Sequence, residues 1–222
     1  MRTVFIPVTW VGNILPTLKK LKPAEKRIGL ISNLQFMSHL KEVESYLRDK
    51  GIDTYYGGQV LGCNTTEPFK INNKVDAYLF LGSGEFHPLE VLEKTNKPIY
   101  LVNPETQIIT KITQKELELY VRKKRSLLTK FLMEKKIGIL VSNKPGQQLL
   151  KAALAFKHRV ESKNKEAFIF LSNELDPLKL EHFSDIKIWV NTACPRYEQP
   201  GVINLVDIEK DLKDYRVRKG YE

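Results

Sequence analysis

The chain has 222 residues, 42% of them hydrophobic and 28% charged, with a formal net charge of +10. That length suffices for one large or two small domains with a sizeable core, and the composition excludes a disordered chain. No apolar run approaches the roughly 18 residues that span a bilayer, and MRTVFIPVTWVG lacks a signal-peptide pattern, so the expected compartment is the cytoplasm.

Along the chain, short apolar runs alternate with amphipathic ones. RIGLIS (Arg27–Ser32) predicts a buried strand, and SHLKEVESYLRDKG a helix with Ser38 as N-cap and Gly51 as its stop. DAYLFLGSG (Asp76–Gly84) predicts a strand entering a glycine-rich turn, HPLEVLEKTN a helix, and KPIYLVNP (Lys97–Pro104) another strand. A long helix is expected near Gln114–Glu134, with Leu117, Val121, Leu128 and Leu132 as an apolar stripe. The strand KIGILVSN and the helix GQQLLKAALAFKHRVESK follow, then the strands EAFIFLS, DIKIWVN and GVINLVD. Nearly continuous apolar strands between amphipathic helices argue for an α/β fold with mainly parallel sheets flanked by helices.

EKRIGLISNLQ from Glu25 resembles EKKIGILVSNKPGQ from Glu134, each a strand that runs into Ser-Asn and then a helix. Two related α/β domains are therefore expected, at residues 25–113 and 114–222. The second opens with the basic stretch YVRKKRSLLTKFLMEKK (Tyr120–Lys136). Arg122, Lys123 and Arg125 fall largely off its apolar stripe, as on a solvated helix face. An anionic partner, protein or RNA, is the other reading. Elsewhere lysines are interleaved with glutamates rather than gathered into an arm, which argues against a nucleic-acid partner.

The chain has only two cysteines, Cys63 in GQVLGCNTTEP and Cys194 in VNTACPRYEQPG, each where an apolar segment passes into a loop. They are a disulfide, two unrelated core thiols, or two ligands of a shared metal centre. A reducing cytoplasm disfavours the first, and the absence of C-x-x-C disfavours conventional zinc. Loops at the C-terminal ends of parallel strands gather ligands. Gly82, Ser83 and Gly84 lie in such a turn and can offer backbone amides to an anion, but G-x-G-x-x-G fails at His87. The alternative is a tight turn requiring positive φ. His87 reads as a general acid–base or metal-ligating group, or as a helix-start residue bonded to its own turn, with Glu85 orienting it or beginning the helix.

Four motifs in order, GQVLGC, LGSGEFHP, SNKPGQ and VNTACPR, resemble the diphthamide synthase family, the 2-(3-amino-3-carboxypropyl)histidine synthases of archaea and eukaryotes. The resemblance covers Lys26 to Arg196 and places both cysteines inside motifs. It implies three similar α/β domains, each offering one cysteine to a central 4Fe–4S cluster that binds S-adenosylmethionine at its open iron. Reductive cleavage then releases a 3-amino-3-carboxypropyl radical that attacks a histidine of elongation factor 2, the first step of diphthamide synthesis.

On this resemblance Cys63 and Cys194 are cluster ligands of the second and third domains, and residues 1–24 are the last strand and connector of a missing first domain. By loop position, Gly82, Ser83, Gly84, Glu85 and His87, with Lys144, Gly146 and Gln147, would line the S-adenosylmethionine pocket, Gln59 and Arg196 lying beside the cysteines. Two thiolates where the family uses three imply a separate chain that carries the missing domain and the third cysteine. The apolar TVFIPV (Thr3–Val8), with Pro7 marking a sheet edge, would be its docking strand. Self-association stays open. The alternatives are a non-catalytic partner subunit, or a basic RNA- or ribosome-associated α/β protein without a cluster.

Overall fold

The computed structural model describes residues 4, 6, 8–61, 66–144 and 146–210, apart from the side chain of residue 177. Cys63 and Pro145 lie outside the described residues, as do residues 3, 5 and 7 of the expected docking strand. The chain divides into two units, Met1–Leu119 and Tyr120–Glu222.

In the first unit, a short helix α1 (Leu15–Leu18) precedes β1 (Arg27–Ser32), α2 (Leu40–Arg48), β2 (Asp53–Gln59) and α3 (Thr66–Lys70). Then come β3 (Ala77–Leu81), α4 (Phe86–Thr95), β4 (Ile99–Asn103), β5 (Ile108–Ile112) and the long α5 (Gln114–Met133), which runs across the division. The second unit continues with β6 (Lys136–Ser142), α6 (Leu150–Glu161), β7 (Glu166–Ser172), α7 (Pro177–Leu180), β8 (Ile188–Asn191) and β9 (Val202–Asn204).

The first sheet has the order β2-β1-β3-β4-β5, parallel except for β5, which pairs antiparallel with β4. The second is β7-β6-β8-β9, parallel throughout. The expected α/β class with mainly parallel sheets is therefore observed. All five residues of β3 are buried, as a strand covered on both faces requires. In both units the first strand is central and the chain moves to one neighbour and then the other, which opens a crevice at the C-terminal ends of β1 and β3, and of β6 and β8.

The internal repeat has a packing cause. Gly29 of β1 stands in register with Tyr78 of β3, and Gly138 of β6 with Trp189 of β8. A Cβ on Gly29 would lie 2.7 Å from the Tyr78 ring, and one on Gly138 2.2 Å from the Trp189 ring. Each glycine thus lets a cross-strand aromatic ring lie over the central strand.

The Tyr78 hydroxyl is buried and donates to the Pro68 carbonyl at 2.7 Å; burial pushes its pKa up to about 12. An acid with a raised folded pKa stays protonated in the native state after it has ionised in the unfolded chain. Its contribution is complete below about pH 10 and is lost as pH rises towards 12, on the order of 2–3 kcal/mol. Urea melts of the first unit's transition should show this loss between about pH 9 and 11.5, and Tyr78→Phe should remove it. An equal loss in the Phe variant would assign the effect to another group.

Several boundaries differ from the sequence reading. Ser38 caps nothing: a 3₁₀ turn, Leu34–His39, leads directly into α2, and His39 is the preceding residue. Strand β2 went unrecognised because DTYYGGQ has neither a buried apolar run nor clean alternation, and the edge strand β5 because it is half exposed. On α5, Leu132 is 53% exposed, whereas Leu127, Leu128 and Phe131 pack into the second core. One stripe does not serve the whole helix, because its two ends belong to different units. The Lys165 ammonium donates to the carbonyls of Phe131, Leu132 and Glu134, satisfying the end of α5.

Near the N-terminus, Ile14, Leu18 and Leu21 are buried in the first unit's core. The Trp10 ring packs against Phe36 and His39. Of the expected docking strand, Val4, Ile6 and Val8 are exposed and none of the three is in a strand.

Candidate active site

The second unit's crevice brings several of the expected residues together. A cleft of about 580 Å³ at the ends of β6, β7 and β8 is lined by Ser142, Lys144, Gln147, Glu174, Cys194 and Arg196, among others. Cys194 is a free, partly exposed thiol. Four expected site residues therefore meet on one cleft: Lys144, Gln147, Cys194 and Arg196. Gly146 sits in the same turn at φ 77° without lining the cleft. The Lys144 N–H donates to Ser142 Oγ at 3.1 Å, and the Gln147 N–H to the Lys144 carbonyl at 3.0 Å. These bonds give the Ser-Asn-Lys turn its shape.

The cleft combines two cationic side chains with the Glu174 carboxylate, a pattern suited to a zwitterion. Glu174, in the loop after β7, and Tyr197, in the Cys194 motif after β8, also line it and were not foreseen. The Tyr197 hydroxyl is held above its ordinary pKa, first by burial and then by the charge of Asp176.

Beneath the cleft, Asn191 and Asn204 bond to each other and to the backbone around Cys194. Asn204 also donates to Asp207, and Asp207 accepts from the Lys124 ammonium at 2.8 Å. Burial disfavours the charged lysine, but its hydrogen bond and ion pair with Asp207 outweigh this and hold Lys124 above its ordinary pKa. One cation of the basic helix is thus structural rather than solvated.

In the first unit, the turn after β3 sits at the matching crevice. Ser32 Oγ donates to the Leu81 carbonyl at 2.8 Å, linking the ends of β1 and β3. The Gly82 N–H is engaged by the Val102 carbonyl at 3.0 Å, and Gly84 adopts φ 78°, as a tight turn requires. Ser83 is half-buried and Glu85 exposed; Glu85 precedes α4 without a side-chain cap bond. His87 is 5% exposed, its ring against Phe80 and Phe86, so it packs inward from the turn. Gln59 ends β2 in register with Ser32, and Cys63 follows it by four positions in a segment outside the described residues. Cys63 follows the second strand of its unit and Cys194 the third, so the two cysteines occupy different connections.

Among the described residues, no group of three or more His, Cys, Asp or Glu could hold a metal ion, and no helix is long and apolar enough to cross a membrane. A thiolate-held cluster fits the described part in donor chemistry alone. Cys194 is an accessible soft ligand on an open cleft, and a full set needs thiols from elsewhere.

Two α/β units with mainly parallel sheets, the second bearing an accessible thiol on a cleft at its strand ends, define an α/β protein of the doubly wound class. The chain belongs to the diphthamide synthesis protein family, whose profile matches residues 1–199. It is 30% identical to a 2-(3-amino-3-carboxypropyl)histidine synthase of Pyrococcus horikoshii over 207 residues, 87% of this chain and 58% of that protein. Against subunit 1 of the Schizosaccharomyces pombe synthase, identity is 26% over 203 residues, 83% of this chain and 45% of that one. The crystal structure of Dph2 from Pyrococcus horikoshii with a 4Fe–4S cluster is similar, with a TM-score of 0.66 at 28% identity. That match covers 90% of this chain and 60% of the other. The chain thus spans about half to three fifths of the length of these relatives.

Proposed function

We propose that this chain is part of a 2-(3-amino-3-carboxypropyl)histidine synthase. This cytoplasmic transferase would move the 3-amino-3-carboxypropyl group of S-adenosylmethionine to a histidine of elongation factor 2, the first step of diphthamide synthesis. The observation that carries the reading is the accessible Cys194 thiol on a cleft that also holds Lys144, Gln147 and Arg196. Membership of a family whose Pyrococcus structure contains a 4Fe–4S cluster supports it.

Cys194 and Cys63 are the residues that would hold the cluster, and a further cysteine would come from a separate chain. When bound, the cluster supplies the electron that cleaves the sulfonium. The chain's own residues bind and orient. Lys144 and Arg196 would take the substrate carboxylate and Glu174 its ammonium, with Gln147 a neutral hydrogen-bonding group beside them. Gly146 would supply the bend that presents Lys144.

Anaerobic reconstitution with iron and sulfide tests this reading. The chain alone should hold well under the four irons of a full cluster and leave S-adenosylmethionine intact. Adding a partner chain with one further cysteine should bring about four irons and activity. A chain that alone reaches about four irons and cleaves S-adenosylmethionine refutes the need for a partner. Absence of iron in both cases refutes the cluster.

A further inference from the structure

We infer that Asn191 and Asn204 form a positioning pair that holds the Cys194 turn. The purpose assigned to that turn rests on the ligand role proposed for Cys194, whereas the pairing itself rests on geometry. The two asparagines end β8 and β9 and stand directly opposite each other in register. Asn191 is 1% exposed and Asn204 8%. A carboxamide buried without partners is costly, so each atom must be matched.

The matches converge on the turn. Asn191 Oδ1 accepts from the Ala193 N–H at 2.9 Å. Its Nδ2 donates to the Cys194 carbonyl at 2.9 Å and to Asn204 Oδ1 at 2.7 Å. Asn204 Nδ2 donates to the Pro195 carbonyl at 2.9 Å. Backbone groups of three consecutive residues are thereby fixed by two side chains, while Cys194 itself lines the cleft. Thr192 secures the entry, since its N–H and Oγ1 both donate to the Leu140 carbonyl. Position 191 needs a donor and an acceptor at once. Leucine offers neither, and aspartate offers no donor. The pair is anchored in turn through Asp207 and Lys124 of α5.

In a Cys63→Ala background Cys194 is the sole thiol, and its alkylation by iodoacetamide reads how firmly the turn is held. Asn191→Ala and Asn204→Ala should each raise the limiting rate at high pH at least about threefold, through local opening. The double variant should match the faster single one, because the two carboxamides act as a unit. Val160→Ala removes core packing in α6 and none of these bonds. It should lower the thermal midpoint and leave the alkylation rate unchanged, which separates positioning from general stability. Asn204→Ser serves as the milder variant where alanine prevents folding. Folded single variants whose rates stay within about 1.5-fold of the parent overturn the inference. Failure of the ligand role is seen separately, as Cys194→Ala retaining its iron in the assembled enzyme.

Discussion

Replacing Cys194 by alanine is expected to remove iron and transferase activity from the assembled enzyme while the second unit stays folded. A cluster iron needs a thiolate, and alanine offers no donor at all. Iron content should fall together with the visible thiolate-to-iron absorption. Transfer of label from S-adenosylmethionine to elongation factor 2 should drop by about 100-fold or more, since loss of a ligand exceeds the 10–100-fold typical of its supporting groups. The folding cost is small. The thiol is partly exposed, and the backbone around it is held by Asn191 and Asn204 rather than by sulfur. About 1 kcal/mol or less is expected from denaturant melts. Cys63→Ala should behave in the same way. A Cys194→Ala protein that is strongly destabilised yet active would instead make the thiol a packing group.

The largest stability loss is expected from Gly138→Ala. The new Cβ would sit 2.2 Å from Cε3 of Trp189, and that ring is packed edge-on in a cluster with Phe170 and Phe183 at centroid distances of 4.8 and 6.0 Å. Neither side can yield cheaply, because β6 is central in its sheet, paired with both β7 and β8. Overpacking of this kind costs about 1–3 kcal/mol, and this rigid contact belongs at or above the upper figure. For a unit of this size, that lowers the transition midpoint by roughly 10 °C or more. Trp189→Leu in the same chain should recover part of the loss, since it removes the clashing ring. A Gly138→Ala protein as stable as its parent would show that the ring swings aside.

Much of the fold is legible because parallel strands buried on two faces leave a strong trace. RIGLIS matches the buried β1 residue for residue, and EAFIFLS matches β7 through its apolar run although that edge strand is only partly buried. The motif around Cys194 is visible as a strand end followed by a turn. The supporting chemistry is less visible. Asn191 stands inside the motif VNTACPR and Asn204 inside an apolar run, but a polar residue at a strand end signals nothing until its cross-strand partner is known. His87 shows the opposite case. It stands in a turn motif, yet its ring is buried against Phe80 and Phe86, and composition cannot distinguish inward from outward.

The sequence by itself determined the α/β class, the repeated strand-turn-helix unit, and the two cysteines and turn motifs that mark strand ends. It could do so because apolar runs, helical spacing and turn residues are local properties of the chain. Tertiary structure alone decided which loops share a crevice, that Lys144, Gln147, Cys194 and Arg196 line one cleft, and that Lys124 is tied to Asp207. Those relations depend on strand order and register, which join residues far apart in the chain through contacts that no local pattern encodes.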